Sequence, residues 1–526
     1  MTKETNDFSN LCDEFLKLHF QINPISATED GYAGFNNKLP DYSEDANARY
    51  LEKAEEISQK AEAINPSDNN EKIDLDLLKR KTDLLKKDLS VFGQQRLNPI
   101  VHTGALSNGL YATMTAHHLN NKEKIESLVK RLEQIPAFLE QAKNTLEKPV
   151  LLWSRIAEQE VPALVQYIET TVNPYLQSQG VEPKLLFDQT KHALYDFSVH
   201  LEKREDKQED FAIGSDLFEY LIKTWHGLNH TAQDLKEIGL EQIDLLNNEL
   251  SKQAEKIDDL KSWQELATLL KNNHPSEEHL LDAYKQKMAE IKNFLCENDI
   301  VSLPEKESLE IINTPKFLQD QLPLAAYMHP PMFAGNGEGQ FFVTPANGDL
   351  ERLKEHCYAS FPLTTLHEAY PGHHLQFAIQ SKLKSPLRKI YNVSSYYEGW
   401  TLYCEEMMYR TGFYDDAMRL YQLKDRLWRA ARIVVDVSMQ CFGMTDDEAV
   451  QFLVDQAGLS KGAARGDVNW YTQSPTIPMS YLIGMLEVDR IRDDYQRKGH
   501  SLKEFHNAFL NCGAIPLGCV REILGV

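Results

Sequence analysis

Several features that would place a sequence quickly are missing here. The seven cysteines (Cys12, Cys296, Cys357, Cys404, Cys441, Cys512, Cys519) are odd in number, scattered, and never spaced C-x-x-C. That argues against a disulfide framework and against a structural zinc knuckle. No apolar run approaches the roughly 20 residues that cross a bilayer. The opening stretch, MTKETNDFSNLCDEFLKLHF, has no uninterrupted apolar core before its charges resume, so it does not read as a signal peptide, and the expected location is cytoplasmic. Positive charge is in deficit: 56 basic against 79 acidic residues give a formal net charge of -23. Nucleic acid and anionic membranes would be repelled, which disfavours both as partners. An acidic surface needs no cationic substrate to explain it, since solubility is reason enough.

What is present is an ordinary soluble composition, 42% hydrophobic and 26% charged over 526 residues. That length suits two or three packed units or one large helical body. Helical periodicity dominates the first three hundred residues, as in NNEKIDLDLLKRKTDLLKKDLSVF (69–92), IESLVKRLEQIPAFLEQAKNTL (125–146) and AQDLKEIGLEQIDLLNNELSKQAEKIDDL (232–260). Ser262 with Glu265, Thr445 with Glu448 and Ser501 with Glu504 each fit a capping box at a helix start. Prolines and glycines break the pattern over 311–345, where GQFFVT is a β-prone run after a Gly-rich turn. Beyond about 350 the helical pattern returns to the end, with a loop expected at 458–478. The expected fold is mainly α with a small β-sheet. A helical N-terminal region would cover 1–310 and a catalytic region 311–526, forming one continuous body.

Chemistry concentrates in LHEAYPGHHLQF (366–377). The familiar zinc-peptidase helix reads H-E-x-x-H, with both histidines one turn apart on one face. Here Pro371 stands where the second histidine belongs. On an unbroken helix His373 would lie about 120° around the axis from His367, and His374 would share its face but sit roughly 10 Å along it. Neither suits one ion, so the helix cannot be regular. Proline removes a donor and clashes with the preceding turn, while glycine permits the backbone angles of a bulge. A bulge absorbing two residues would return His373 to the ligand position. Downstream, YYEGWTLYCEE (396–406) offers Glu398 as a carboxylate ligand, and NWYTQSPTIPMSYLIG (469–484) offers Tyr481. Two histidines and a carboxylate with an open position suit catalytic zinc, and Glu368 beside the first ligand suits a general base. The same set can hold Fe(II), and a helical binding protein could keep the motif without turnover. Trp400, Tyr403, Tyr471 and Tyr481 read by default as packed aromatics, and Arg465 and Asp467 as solvated charges.

HEAYPGHHLQ with EGWTLYCEE downstream resembles the bacterial "domain of unknown function 885" family, which is grouped by fold with the Glu-type zinc metallopeptidases. FLKLHFQINPISATEDGY, TAQDLKEIGLEQI and MSYLIG are similar to that family's opening, mid-chain helix and C-terminal Ser-Tyr-x-x-Gly. The resemblance implies a large helical metallopeptidase-like body with a small sheet beside the active-site helix. It carries over His367, Glu368, His373 and Glu398. Where the family has an Arg-Tyr pair this chain has Trp470-Tyr471, which removes the arginine from any substrate role. The expected activity is that of a zinc metallopeptidase hydrolysing short peptides. His367, His373 and Glu398 would bind Zn2+, Glu368 would act as the base, and Tyr481 and His374 would stabilise the oxyanion. The N-terminal helices would wall a cleft, and GQFFVT would be the edge strand along which the peptide lies.

Overall fold

In the computed structural model residues 3–316, 319, 322, 324–335 and 338–526 are described. The architecture is mainly α with one small three-stranded sheet. The Gly-rich turn expected before GQFFVT includes residues 336 and 337, outside the described residues. The chain forms two compact units, Met1–Asp210 with Pro331–Asn336, and Phe211–Pro330 with Gly337–Val526. The helices between 211 and 310 thus belong to the same unit as the histidine segment.

In the first unit, helices Pro99–Thr115, Asn121–Thr145, Leu151–Tyr167 and Lys184–Lys203 pack around one core. The 121–145 helix shows why. Leu128, Leu132, Ile135, Leu139 and Ala142 recur at three- and four-residue steps and are all buried. Each large side chain of such a stripe contributes about 1.5–3 kcal/mol by leaving water. Asn120 and Glu123 close a capping box at its start.

The second unit carries the sheet and the chemistry. Strands β1 (Ser308–Asn313), β2 (Ala325–Met328) and β3 (Glu338–Val343) are ordered β1-β3-β2. β3 runs parallel to β1, pairing Phe341 with Ile311, and antiparallel to β2, pairing Phe341 with Tyr327. GQFFVT is therefore the central strand and not an edge. Its backbone groups are committed on both sides, so it cannot accept a substrate strand. Phe341, Phe342 and Val343 are buried in succession, as a strand covered on both faces requires.

The loop expected at 458–478 is also corrected, because Lys461–Tyr471 is a helix. Ser460 caps it by accepting from the Ala463 N–H, and Ala464, Val468 and Tyr471 form its buried stripe. Two glycines and a polar composition hid that period. The capping boxes expected at Ser262, Thr445 and Ser501 are all formed.

Candidate metal centre

The helix Phe361–Glu368 ends one residue after His367, and a new helix begins at His373 and runs to Gln380. Between them Ala369 has φ -104 and ψ -95, and Gly372 has φ -74 and ψ -133, neither helical. The break is thus wider than a bulge. Pro371 cannot donate to the helix ladder, and Gly372 comes so close to the preceding turn that a Cβ there would lie 1.9 Å from the His367 carbonyl oxygen. Only glycine fits. The Pro371 carbonyl is held by the Trp400 indole, which donates at 2.9 Å from helix Ser394–Arg410. Trp400 is fully buried, as its reading as core expects, and it also pins the break.

The result brings His373 against His367, with ring centroids 4.7 Å apart and nearly perpendicular. Glu398 completes the group: its Oε2 lies 3.4 Å from His367 Nε2 and 3.6 Å from His373 Nε2. One ligand atom from each of the three residues falls within 4.8 Å of the others. Glu398 reaches this position because its helix packs tightly on helix Ile477–Arg497. Gly399 meets Gly484 there, and a Cβ on Gly399 would come within 2.5 Å of the opposing backbone. The glycines of EGW and of MSYLIG are thus two sides of one contact. Tyr481, from the same 477–497 helix, presents its hydroxyl to Glu398.

The electrostatics are those of a site with surplus negative charge. Burial would strip the proton from His367, but the Glu398 and Glu405 carboxylates beside it, with the charge of Glu368, raise its imidazole to about 10. Burial drives His373 down to about 3, with Glu398 opposing. Burial raises Glu368 to about 7 against the pull of His367, with the Glu398 charge adding to the rise. Burial would also raise Glu398, yet His373, His367 and the Tyr481 hydroxyl hold it below the usual carboxylate value. Glu398 Oε2, the atom that faces both Nε2 nitrogens, is buried without a hydrogen-bond partner. Two imidazoles and a carboxylate with unsatisfied atoms fit a divalent cation of zinc type.

Glu405 escaped the sequence reading, though a signal existed. It lies seven residues after Glu398, two turns along the same helix face, and accepts from His367 Nδ1 at 2.9 Å. His374, expected at the oxyanion, is turned elsewhere. It is fully buried, its Nε2 is 2.5 Å from Glu307 and its Nδ1 is 3.1 Å from the Tyr327 hydroxyl. No ring nitrogen remains to face a reacting oxygen, so the oxyanion role is withdrawn for His374. Asp467 is likewise no simple solvated charge, since it accepts from Trp428 Nε1 at 2.8 Å and the Tyr471 hydroxyl at 2.5 Å.

A family model described as bacterial protein of unknown function (DUF885) matches residues 24–524. The chain belongs to that family. It is similar in structure to a candidate lipoprotein of unknown function from Shewanella oneidensis, with a TM-score of 0.81 at 21% identity, covering 99% of this chain and 100% of that one. A second candidate lipoprotein, from Colwellia psychrerythraea, gives a TM-score of 0.85 at 18% identity, covering 99% of this chain and 98% of that one. At these identities the likeness shows the fold. Among curated proteins none matches. No helix among the described residues is long and apolar enough to cross a membrane.

Proposed function

We propose that the protein is a zinc-dependent peptidase of the Glu-type metallopeptidase kind, acting on short peptides. One observation carries this: His367, His373 and Glu398 lie within reach of a single ion, and the carboxyl of Glu368, raised to about 7, sits beside them. His367, His373 and Glu398 would hold the ion. A bound zinc ion supplies Lewis acidity and makes water acidic near neutral pH. Glu368 accepts the proton of the attacking water and passes it to the leaving amine, and burial, which raises its carboxyl, helps it hold that proton between the two halves of the exchange. Glu405 fixes the His367 ring through Nδ1, which directs Nε2 to the ligand position. The Tyr481 hydroxyl, directed at Glu398 in the metal-free site, would turn to the carbonyl oxygen as it gains charge, a contribution of about 3 kcal/mol in comparable sites. Glu368 also weighs against the Fe(II) reading, because an iron triad needs no base beside its first ligand.

The test is metal analysis of protein purified without chelator, followed by hydrolysis of a mixed peptide library. About one zinc per chain is expected; fewer than a tenth of chains metallated after zinc loading would overturn the reading. Glu368→Gln should keep the metal and lose at least about 100-fold in turnover. A variant that stays within tenfold of the parent would place the base elsewhere, and a metallated protein that cleaves no peptide would favour a binding role. Folded proteins should be poor substrates. The cytoplasmic location expected from the sequence stands against the lipoprotein description of both solved neighbours. Fractionation of cells expressing the natural gene product under palmitate labelling decides between them.

A further inference from the structure

Glu307 precedes β1 and has a side chain only 5% exposed. Its Oε2 accepts from His374 Nε2 at 2.5 Å and from the Tyr370 hydroxyl, and its Oε1 lies 3.3 Å from the Lys292 ammonium. Tyr370 and His374 flank Pro371-Gly372, so one carboxylate spans the insertion that sets His373. Burial would raise Glu307, but the hydrogen bonds from His374 and Tyr370, with the Lys292 charge, hold its carboxyl at about 2. The ionised carboxylate accepts a hydrogen bond from His374 Nε2–H, and Nδ1 then accepts from the Tyr327 hydroxyl at 3.1 Å. Tyr327 stands on β2, and its main-chain N–H donates to Glu368. Its ring also stacks on His373 with centroids 6.4 Å apart. β3 leaves room for the Tyr327–His374 pair only because residue 339 is glycine: a Cβ there would lie 2.6 Å from the Tyr327 hydroxyl and 2.7 Å from His374 Nδ1.

We propose that Glu307, His374 and Tyr327 are positioning residues forming one hydrogen-bonded brace. Through the chain break the brace sets the ring of His373, and through β2 it sets the carboxyl of Glu368. Glu307 fixes both flanks of the break, and His374 transmits that placement to Tyr327. Tyr327 then confines the two groups that the hydrolytic reading uses. The inference rests on that reading, and the second histidine of the HH pair takes a role in it distinct from metal binding.

The test measures zinc affinity by chelator competition and the absorption bands of the cobalt(II)-substituted protein, with the thermal midpoint recorded in parallel. Glu307→Ala and His374→Ala should weaken zinc about 10–100-fold and shift the cobalt bands. Glu307→Gln, which keeps an acceptor oxygen, should recover part of both. Tyr327→Phe loses only the hydroxyl and should melt close to the parent while still shifting the cobalt bands. Leu453→Ala, in the core away from the site, should lower the thermal midpoint but leave affinity and spectrum unchanged. Zinc affinity within twofold of the parent and an unmoved cobalt spectrum in His374→Ala and Tyr327→Phe would overturn the brace and leave the metal reading standing. A parent protein that takes up no metal would overturn that reading, and the brace with it.

Discussion

Two buried charged sites, one in each unit, are treated in opposite ways. In the first unit Arg131 is fully buried, and its guanidinium is spent on neutral acceptors. Nε donates to the Lys38 carbonyl, one terminal nitrogen to the Gly109 carbonyl and Thr113, and the other to Thr28 and the Pro24 carbonyl. The cation staples three chain segments together and has no donor left over. In the second unit His367, Glu368, His373, Glu398 and Glu405 crowd together and compensate one another incompletely. Glu398 Oε2 and His373 Nδ1 stay unpartnered, and the proton affinities of His367 and His373 move apart to about 10 and about 3. A buried charge with every donor satisfied is scaffold. Two imidazoles and a carboxylate converging within reach of one ion, with the carboxylate oxygen between them left unpartnered, mark a place built for something else.

That contrast can be broken by substitution. The largest effect should come from His373→Ala, which should lose stoichiometric zinc and keep its fold; zinc retained at parent level would remove His373 from the ligand set. Arg131→Met should leave zinc content alone and destabilise the protein by about 3–5 kcal/mol, because five acceptors lose their donor in the interior. A denaturant midpoint unchanged from the parent would show that the staple carries no stability. Gly399→Ala should do both: overpacking against Gly484 costs about 1–3 kcal/mol, and zinc affinity falls because Glu398 is next in the chain. The last effect is a pH one. Glu307, near 4.5 unfolded and about 2 folded, adds stability above pH 4.5 that disappears as pH falls toward 2. The stability gap between the parent and Glu307→Gln should therefore narrow on acidification, and a constant gap in denaturant titrations would contradict this.

How much was legible follows the range of the interaction. The Pro-Gly step beside an odd histidine spacing announced a helix that could not continue, because proline and glycine act on their own backbone. The structure makes the interruption a full break between Glu368 and His373. Glu405 was equally open to reading, since two carboxylates seven residues apart share a helix face. Residues 461–471 conceal their helix because Gly462 and Gly466 dilute a stripe that only three residues define. Glu307 and Tyr327 gave no local sign at all. They meet His374 across 67 and 47 residues of chain, and nothing near either residue announces a partner that distant.

By itself the sequence determined the helical character, the capped helix starts, the interruption at Pro371-Gly372 and the residue types able to hold a cation. All of these follow from side-chain period, backbone freedom and donor chemistry within a turn or two. The tertiary structure decided which histidine faces Glu398 and which faces Glu307. It also decided that β3 lies inside its sheet, and that Gly399 and Gly484 close the contact that brings Glu398 to the site. These outcomes depend on which surfaces pack together. A close approach of two backbones, or a carboxylate carried in by a distant strand, is a property of the packed chain rather than of any segment of it.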